Sequence, residues 1–183
     1  MTEPMITLEW LKEHGAWEER IWAWEDSPRE WQDRFGNSAS VADTVKWLRE
    51  TKDERWEGWL LAQTPEMTKA MLAAGANVHA ADDEALVEAV ERGRLRVVKL
   101  LCAAGADVNA RNGGILRGAV FWGYLEIVKE LRAAGADFGS LLRGCLLDAT
   151  KAAGHTEVVN YVESIMEVDN EFDTCDYLGI DRG

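Results

Sequence analysis

Three cysteines in 183 residues, Cys102, Cys145 and Cys175, are too few, too widely spaced and odd in number for a disulfide framework or a zinc site. They read as reduced, small apolar fillers. No apolar run approaches the roughly 20 residues that a membrane helix needs. The opening MTEPMITLEW has neither the basic nor the apolar segment of a secretory leader, so a cytoplasmic protein that crosses no membrane is expected. Histidine is equally scarce: His14, His79 and His155 fall in no catalytic or metal-binding pattern. A P-loop, HExxH, paired CxxC and a GxGxxG at a strand–helix junction are all missing. The acidic tail DNEFDTCDYLGID lacks the central glycine and final glutamate of a calcium loop. No cofactor, no metal and no enzymatic activity are therefore expected.

Basic residues are also in short supply, 20 against 33 acidic ones, for a net charge of −13. Direct binding to nucleic acid or to an anionic membrane is disfavoured, and a protein partner with a basic surface is favoured. The acidity is concentrated at the ends: residues 1–64 carry −6, 65–165 only −2, and 166–183 −5.

What the chain does have is hydrophobic content, 47%, enough to bury a sizeable core, and an internal period. Gly75-Ala76-Asn77, Gly105-Ala106-Asp107 and Gly135-Ala136-Asp137 are spaced by 30 residues twice over. A second glycine set, Gly93, Gly123 and Gly154, recurs at 30 and then 31. Between them LRVVKLLCAAG, LEIVKELRAAG and TEVVNYVESI place apolar residues at helical spacing, and each closing glycine suits the left-handed residue that ends a helix. Shorter helices, EALVEAVERG and ILRGAVFWG, precede them. One unit is thus helix, tight turn, helix, then a Gly-Ala-Asx turn.

GADVNA at 105–110, LRVVKLL at 95–101, GYLEIVKEL at 123–131 and GHTEVVNYV at 154–162 make this unit resemble the ankyrin repeat. The TPLH tetrapeptide of that family is missing, and the shortened ADDEAL and RNGGIL segments are similar to the abbreviated repeats of bacterial and viral proteins. The resemblance implies an all-α, ankyrin-type helix-turn-helix solenoid. Residues 54–165 hold about four repeats, with the first and last divergent. In the first, Trp56 and Trp59 stand 30 residues before Leu86 and Ala89, and Thr64-Pro65 reads as the start of its second helix. The acidic tail, 166–183, either packs on the last repeat or orders on a partner.

A repeat stack needs its ends covered, and residues 1–53, with six of the nine tryptophans, are expected to form a small helical N-terminal cap domain. Trp10, Trp17, Trp24 and Trp31 recur every seventh residue, but Gly15 and Pro28 would interrupt a single helix, the proline at a cost of about 3 kcal/mol. The row therefore divides into TLEWLKEHG, AWEERIWAWED and SPREWQDRFG, the last opened by a Ser27/Glu30 capping box, with SVADTVKWLRETK following. Trp17, Ile21 and Trp24 share a core-facing side, and Trp22 points partly elsewhere.

Ankyrin-like stacks generally bind proteins through a concave face of turn tips and first helices, and the two residues before the inter-helix glycine often touch the partner. Here those pairs are Glu91-Arg92, Phe121-Trp122 and Ala152-Ala153. Phe121 and Trp122 form the candidate anchor, with Arg92 and Arg117 nearby, and Asp82, Asp83, Glu84, Glu88, Arg111 and Asn112 as tips and rim. The bland alternative is that either ring packs between adjacent first helices. The expected function is a non-catalytic interaction module. The rival is an acidic mimic of nucleic acid that blocks a nucleic-acid-binding protein, as a phage-encoded inhibitor of a host defence complex would in the host cytoplasm.

Overall fold

A computed structural model describes residues 5–15, 27–138 and 150–165. It divides into two compact units, one of Met1–Ala89 with Arg96–Asp107, the other of Val90–Leu95 with Val108–Gly183. Among the described residues the fold is all-α apart from one small sheet. No described helix is long and apolar enough to cross a membrane.

The first unit begins with that sheet, which the sequence reading did not anticipate. Strands β1 (Met5–Thr7) and β2 (Ser38–Ser40) pair antiparallel, with Met5 opposite Ser40, Ile6 opposite Ala39 and Thr7 opposite Ser38. Three residues are too few to display the alternation that betrays a strand. Helix α1 (Leu8–Glu13) is capped by Thr7, whose hydroxyl accepts the Trp10 N–H at 3.0 Å, and it stops before Gly15 at φ +79°. The tryptophan row is therefore broken where expected. Trp17, Trp22 and Trp24 lie outside the described residues, as do the Ser27 and Glu30 side chains, Cys145, Cys175 and the acidic tail.

Helices α2 (Ser27–Phe35) and α3 (Val41–Thr51) follow, the latter capped by Ser40, and then the first helix pair of the repeat region, α4 (Glu54–Leu61) and α5 (Pro65–Ala73). Thr64 caps α5 and Pro65 occupies its first turn, as the sequence indicated. Trp31 and Trp56 are fully buried and meet edge to face with centroids 6.4 Å apart; Trp47 meets Trp56 at 5.5 Å and Phe35 at 6.3 Å. Trp31 donates its indole N–H to Thr44 at 3.2 Å. This aromatic cluster joins the N-terminal helices to the first repeat inside one core.

Four more helices carry the period: α6 (Ala80–Glu91), α7 (Leu95–Ala103), α8 (Ala110–Phe121) and α9 (Leu125–Ala133). Residues 156–165 form a further helix. Both glycine sets have positive φ throughout, from +66° at Gly93 to +92° at Gly105 and Gly135. After α5, α7 and α9 the same double hydrogen bond recurs: Ala76, Ala106 and Ala136 donate to Met71, Leu101 and Leu131, while the preceding glycines donate to Leu72, Cys102 and Arg132. Each pair satisfies carbonyls that a helix end would otherwise leave unpaired. In place of long fingers, Ala81-Asp82-Asp83 and Arg111-Asn112-Gly113 each make one left-handed turn before the right-handed helix starts.

The Asx residue of each repeated triplet is held by a side chain from further up the chain. Asn77 N–H donates to Glu57 at 2.8 Å, Asp107 N–H to Asp83 at 2.9 Å, and Asp137 N–H to Asn109 at 2.7 Å. Position 113, the equivalent of Asp83, is glycine, and Asn109 supplies the missing acceptor in that repeat. Glu57 is 4% exposed; burial pushes its carboxyl above the ordinary value, against the lowering effects of the Asn77 N–H and Arg49. A raised folded-state pKa contributes stability that is fully present below the unfolded value of 4.5 and is lost as pH rises through the folded value. Glu57→Gln keeps an acceptor for Asn77 and removes the buried charge. The variant is expected to melt above wild type at neutral pH, with the gap closing on acidification towards pH 4.5; paired thermal melts across that range measure it.

Candidate partner-binding surface

In the second unit, the turns that join the helices of each repeat lie side by side. A Cβ on Gly93 would meet the Tyr124 ring at 2.9 Å, and one on Gly123 would sit 2.5 Å from His155 Cγ and nearer still to Nδ1. Tyr124 and His155 each follow an inter-helix glycine, so each repeat lays a ring against the bare backbone of the preceding turn. The glycines are needed twice over, for the left-handed backbone and for the space the ring takes. His155 also bonds within its own turn, its backbone N–H donating to the Thr150 carbonyl at 3.1 Å. The turns bearing Glu91-Arg92, Phe121-Trp122 and Ala152-Ala153 thereby form a row.

All six of these side chains are exposed. Phe121 is 45% and Trp122 50% accessible, against full burial of Trp31 and Trp56. The two rings contact each other edge to face, centroids 5.2 Å apart and planes at 80°, so each fixes the other's orientation. Neither is enclosed between helices, which disposes of the packing alternative. On one side stands the turn with Arg92; on the other, the turn with Ala152 and Ala153.

The remaining predicted residues are distributed unevenly. Arg117 is exposed and lies one turn before Phe121 on α8, with Nη1 donating to the Asn112 carbonyl at 3.0 Å. Arg111 and Asn112 are exposed but sit in the left-handed turn at the opposite end of that helix from the aromatic pair. Asp82, Asp83, Glu84 and Glu88 belong to the first unit. Asp82 is exposed, and Glu84 and Glu88 are half-buried. Asp83 is not a rim residue: it is 4% exposed, its carboxylate accepting the Asp107 N–H at 2.9 Å and facing His79 Nδ1 at 3.2 Å. Asp82 and Asp83 share the left-handed backbone, but their successive places in that turn leave Asp82 in solvent and Asp83 buried. Among the described residues no group of His, Cys, Asp and Glu could hold a metal ion.

One feature of the surface lay outside the sequence reading. Gly118 precedes Phe121 by three residues and Trp122 by four, and a Cβ there would meet nothing within 4 Å. The helix surface is open there. A mid-helix glycine, about 1 kcal/mol worse than alanine, was the available signal.

Paired helices joined by Schellman-type turns, repeating every 30 residues and presenting a row of exposed turn residues, define a helix-turn-helix repeat protein. Residues 60–141 match the family model for ankyrin repeats, in three copies. Ankyrin repeats generally act as protein–protein interaction modules. No curated protein matches the chain.

Proposed function

We propose that the chain is a non-catalytic interaction module that holds another protein through its inter-helix turns, with Phe121 and Trp122 as anchor. The carrying observation is the exposure of two large aromatics at a position where the neighbouring repeats have a charged pair and an alanine pair. Hydration of that much apolar surface is unfavourable at about 25 cal/mol per Å², and a partner that covers it recovers this free energy. Tryptophan is also the residue most enriched in binding hot spots.

Net charge pointed to a basic partner, through long-range attraction. At physiological salt that attraction decays within about 8 Å, so the groups in contact govern the charge of the bound surface. Between Asp107 and Glu126 the chain has no acidic residue. The aromatic pair stands inside this stretch, which gives no support to the reading as an acidic nucleic-acid mimic.

Affinity purification from the source cell, followed by titration of the captured protein, tests the module. Trp122→Ala is expected to weaken binding by about 30-fold or more, a hot-spot loss of ~2 kcal/mol, while neutralising terminal acids has a smaller effect. Stability should stay within about 0.5 kcal/mol, since the ring is half in solvent. An unchanged affinity would remove Trp122 from the interface.

A further inference from the structure

We propose that Asn112 is a deamidation site that the fold holds shut: its conversion to aspartate and isoaspartate proceeds only from states in which the left-handed turn at the start of helix α8 has opened.

The reactivity comes from the sequence. Of the six asparagines in the chain only Asn112 is followed by glycine; the others precede Ser38, Val78, Ala110, Tyr161 and Glu171. In the reaction the Gly113 backbone nitrogen gives up its proton and attacks Asn112 Cγ, a new C–N bond closes a cyclic imide, and the side-chain nitrogen leaves as ammonia. Water then opens the ring at either carbonyl, giving aspartate or, with the main chain routed through the side chain, isoaspartate. A side chain on the following residue hinders the attack, and glycine, with no Cβ, does not. The Asn112 side chain is exposed, so water reaches it and ammonia has a path out.

The fold withholds the geometry. Ring closure needs Asn112 Cβ and the Gly113 nitrogen eclipsed about the Asn112 Cα–C bond. Asn112 has φ +54° and ψ +46°, and because Cβ is offset from the residue's own nitrogen by about 120° around that bond, the Gly113 nitrogen stands nearly opposite Cβ. Close to a half rotation of ψ separates the two arrangements. Three features oppose it. The Gly113 N–H, whose proton must be lost, donates to the Asn109 carbonyl at 3.2 Å. The Asn112 carbonyl, which would swing with the rotation, accepts from Arg117 Nη1 at 3.0 Å. Gly113 is itself buried and left-handed, at φ +71°. The reaction therefore draws on locally opened molecules, and its rate follows their population. The two products differ in fit. Asp82 already holds the corresponding place in the preceding repeat, at φ +60° and ψ +54°, so aspartate suits the turn, whereas isoaspartate lengthens the main chain within it.

The full chain is incubated at mildly alkaline pH, folded in buffer and unfolded in guanidinium chloride. The peptide containing Asn112 is followed by mass spectrometry, with chromatography separating the aspartate and isoaspartate forms. In denaturant Asn112 is expected to convert ahead of the other five asparagines, and in the folded protein at least about tenfold more slowly than in denaturant. Arg117→Ala removes the hydrogen bond to the Asn112 carbonyl from an exposed position, and should speed conversion in the folded protein while leaving the rate in denaturant unchanged. Asn112→Asp should melt with wild type. Equal rates in buffer and denaturant would overturn the gate, and an unfolded chain in which Asn112 converts no faster than the other asparagines would overturn the site. A folded Arg117→Ala protein that converts no faster than wild type would remove that hydrogen bond from the lock, and an Asn112→Asp protein that melts well below wild type would break the equivalence with Asp82.

Discussion

Gly123→Ala should destabilise the protein by about 2–5 kcal/mol, adding an overpacking cost of about 1–3 kcal/mol to a left-handed backbone cost of about 1–2 kcal/mol. The glycine has φ +74°, and its missing Cβ would lie 2.5 Å from His155 Cγ. The backbone that carries the ring is anchored: the His155 main-chain N–H donates to the carbonyl of fully buried Thr150 at 3.1 Å, and its main-chain carbonyl accepts from Val159 as the next helix begins. The two contributions separate experimentally. Gly135 has φ +92° with nothing within 4 Å of its Cβ position, so Gly135→Ala should show the backbone cost alone. In a His155→Ala background the ring is gone, and Gly123→Ala should fall to that same cost. Urea denaturation of the four proteins gives a coupling between positions 123 and 155 of about 2 kcal/mol. Additive effects would show that the ring and the glycine are not in contact.

That coupling bears on which parts of the structure were readable in sequence. The glycine positions were, because a backbone needing φ above zero selects glycine strongly enough to leave a 30-residue period. The same period located the Phe121-Trp122 pair at a turn but left open whether the rings reach solvent or pack between adjacent first helices. Which atoms occupy the space beside each glycine was not readable: Tyr124 and His155 share a position but no chemistry. Asp83 shows the limit more sharply. In ADDEAL the two aspartates look equivalent, and only their different places in the folded turn separate Asp82, in solvent, from Asp83, bonded to the Asp107 backbone. Glu57, set between Trp56 and Gly58, likewise reads as a solvated charge until the fold brings the Asn77 N–H to it. Acidic side chains are misread because composition reports their charge and not the direction they face. The short sheet escaped for a different reason, since pairing between residues more than 30 apart leaves no local pattern.

Trp56→Ala is expected to cost about 3–5 kcal/mol, the range for truncating a buried large aromatic, and denaturant melts followed by far-UV circular dichroism would measure it. Trp56 is 1% exposed and touches both Trp31 and Trp47 edge to face, so its loss opens a cavity where the N-terminal helices meet the first repeat. Two phenylalanine variants refine the test. The Trp56 indole N–H has no hydrogen-bond partner among the described residues, whereas that of Trp31 donates to Thr44. Trp56→Phe therefore loses packing and no hydrogen bond, while Trp31→Phe loses packing together with a hydrogen bond of about 1 kcal/mol. Trp31→Phe should be the more damaging of the two by about that amount, and the reverse order would mean that ring volume alone governs the cluster. Trp122→Ala differs from all of these although the residue type is the same: its ring stands in the solvent-facing turn row, and its removal should leave the melt in place while abolishing most of the affinity for a partner. On the proposed function tryptophan has two separable roles in this chain, and stability measurements on positions 31, 56 and 122 are expected to set the residues that hold the first unit together apart from the one proposed for recognition.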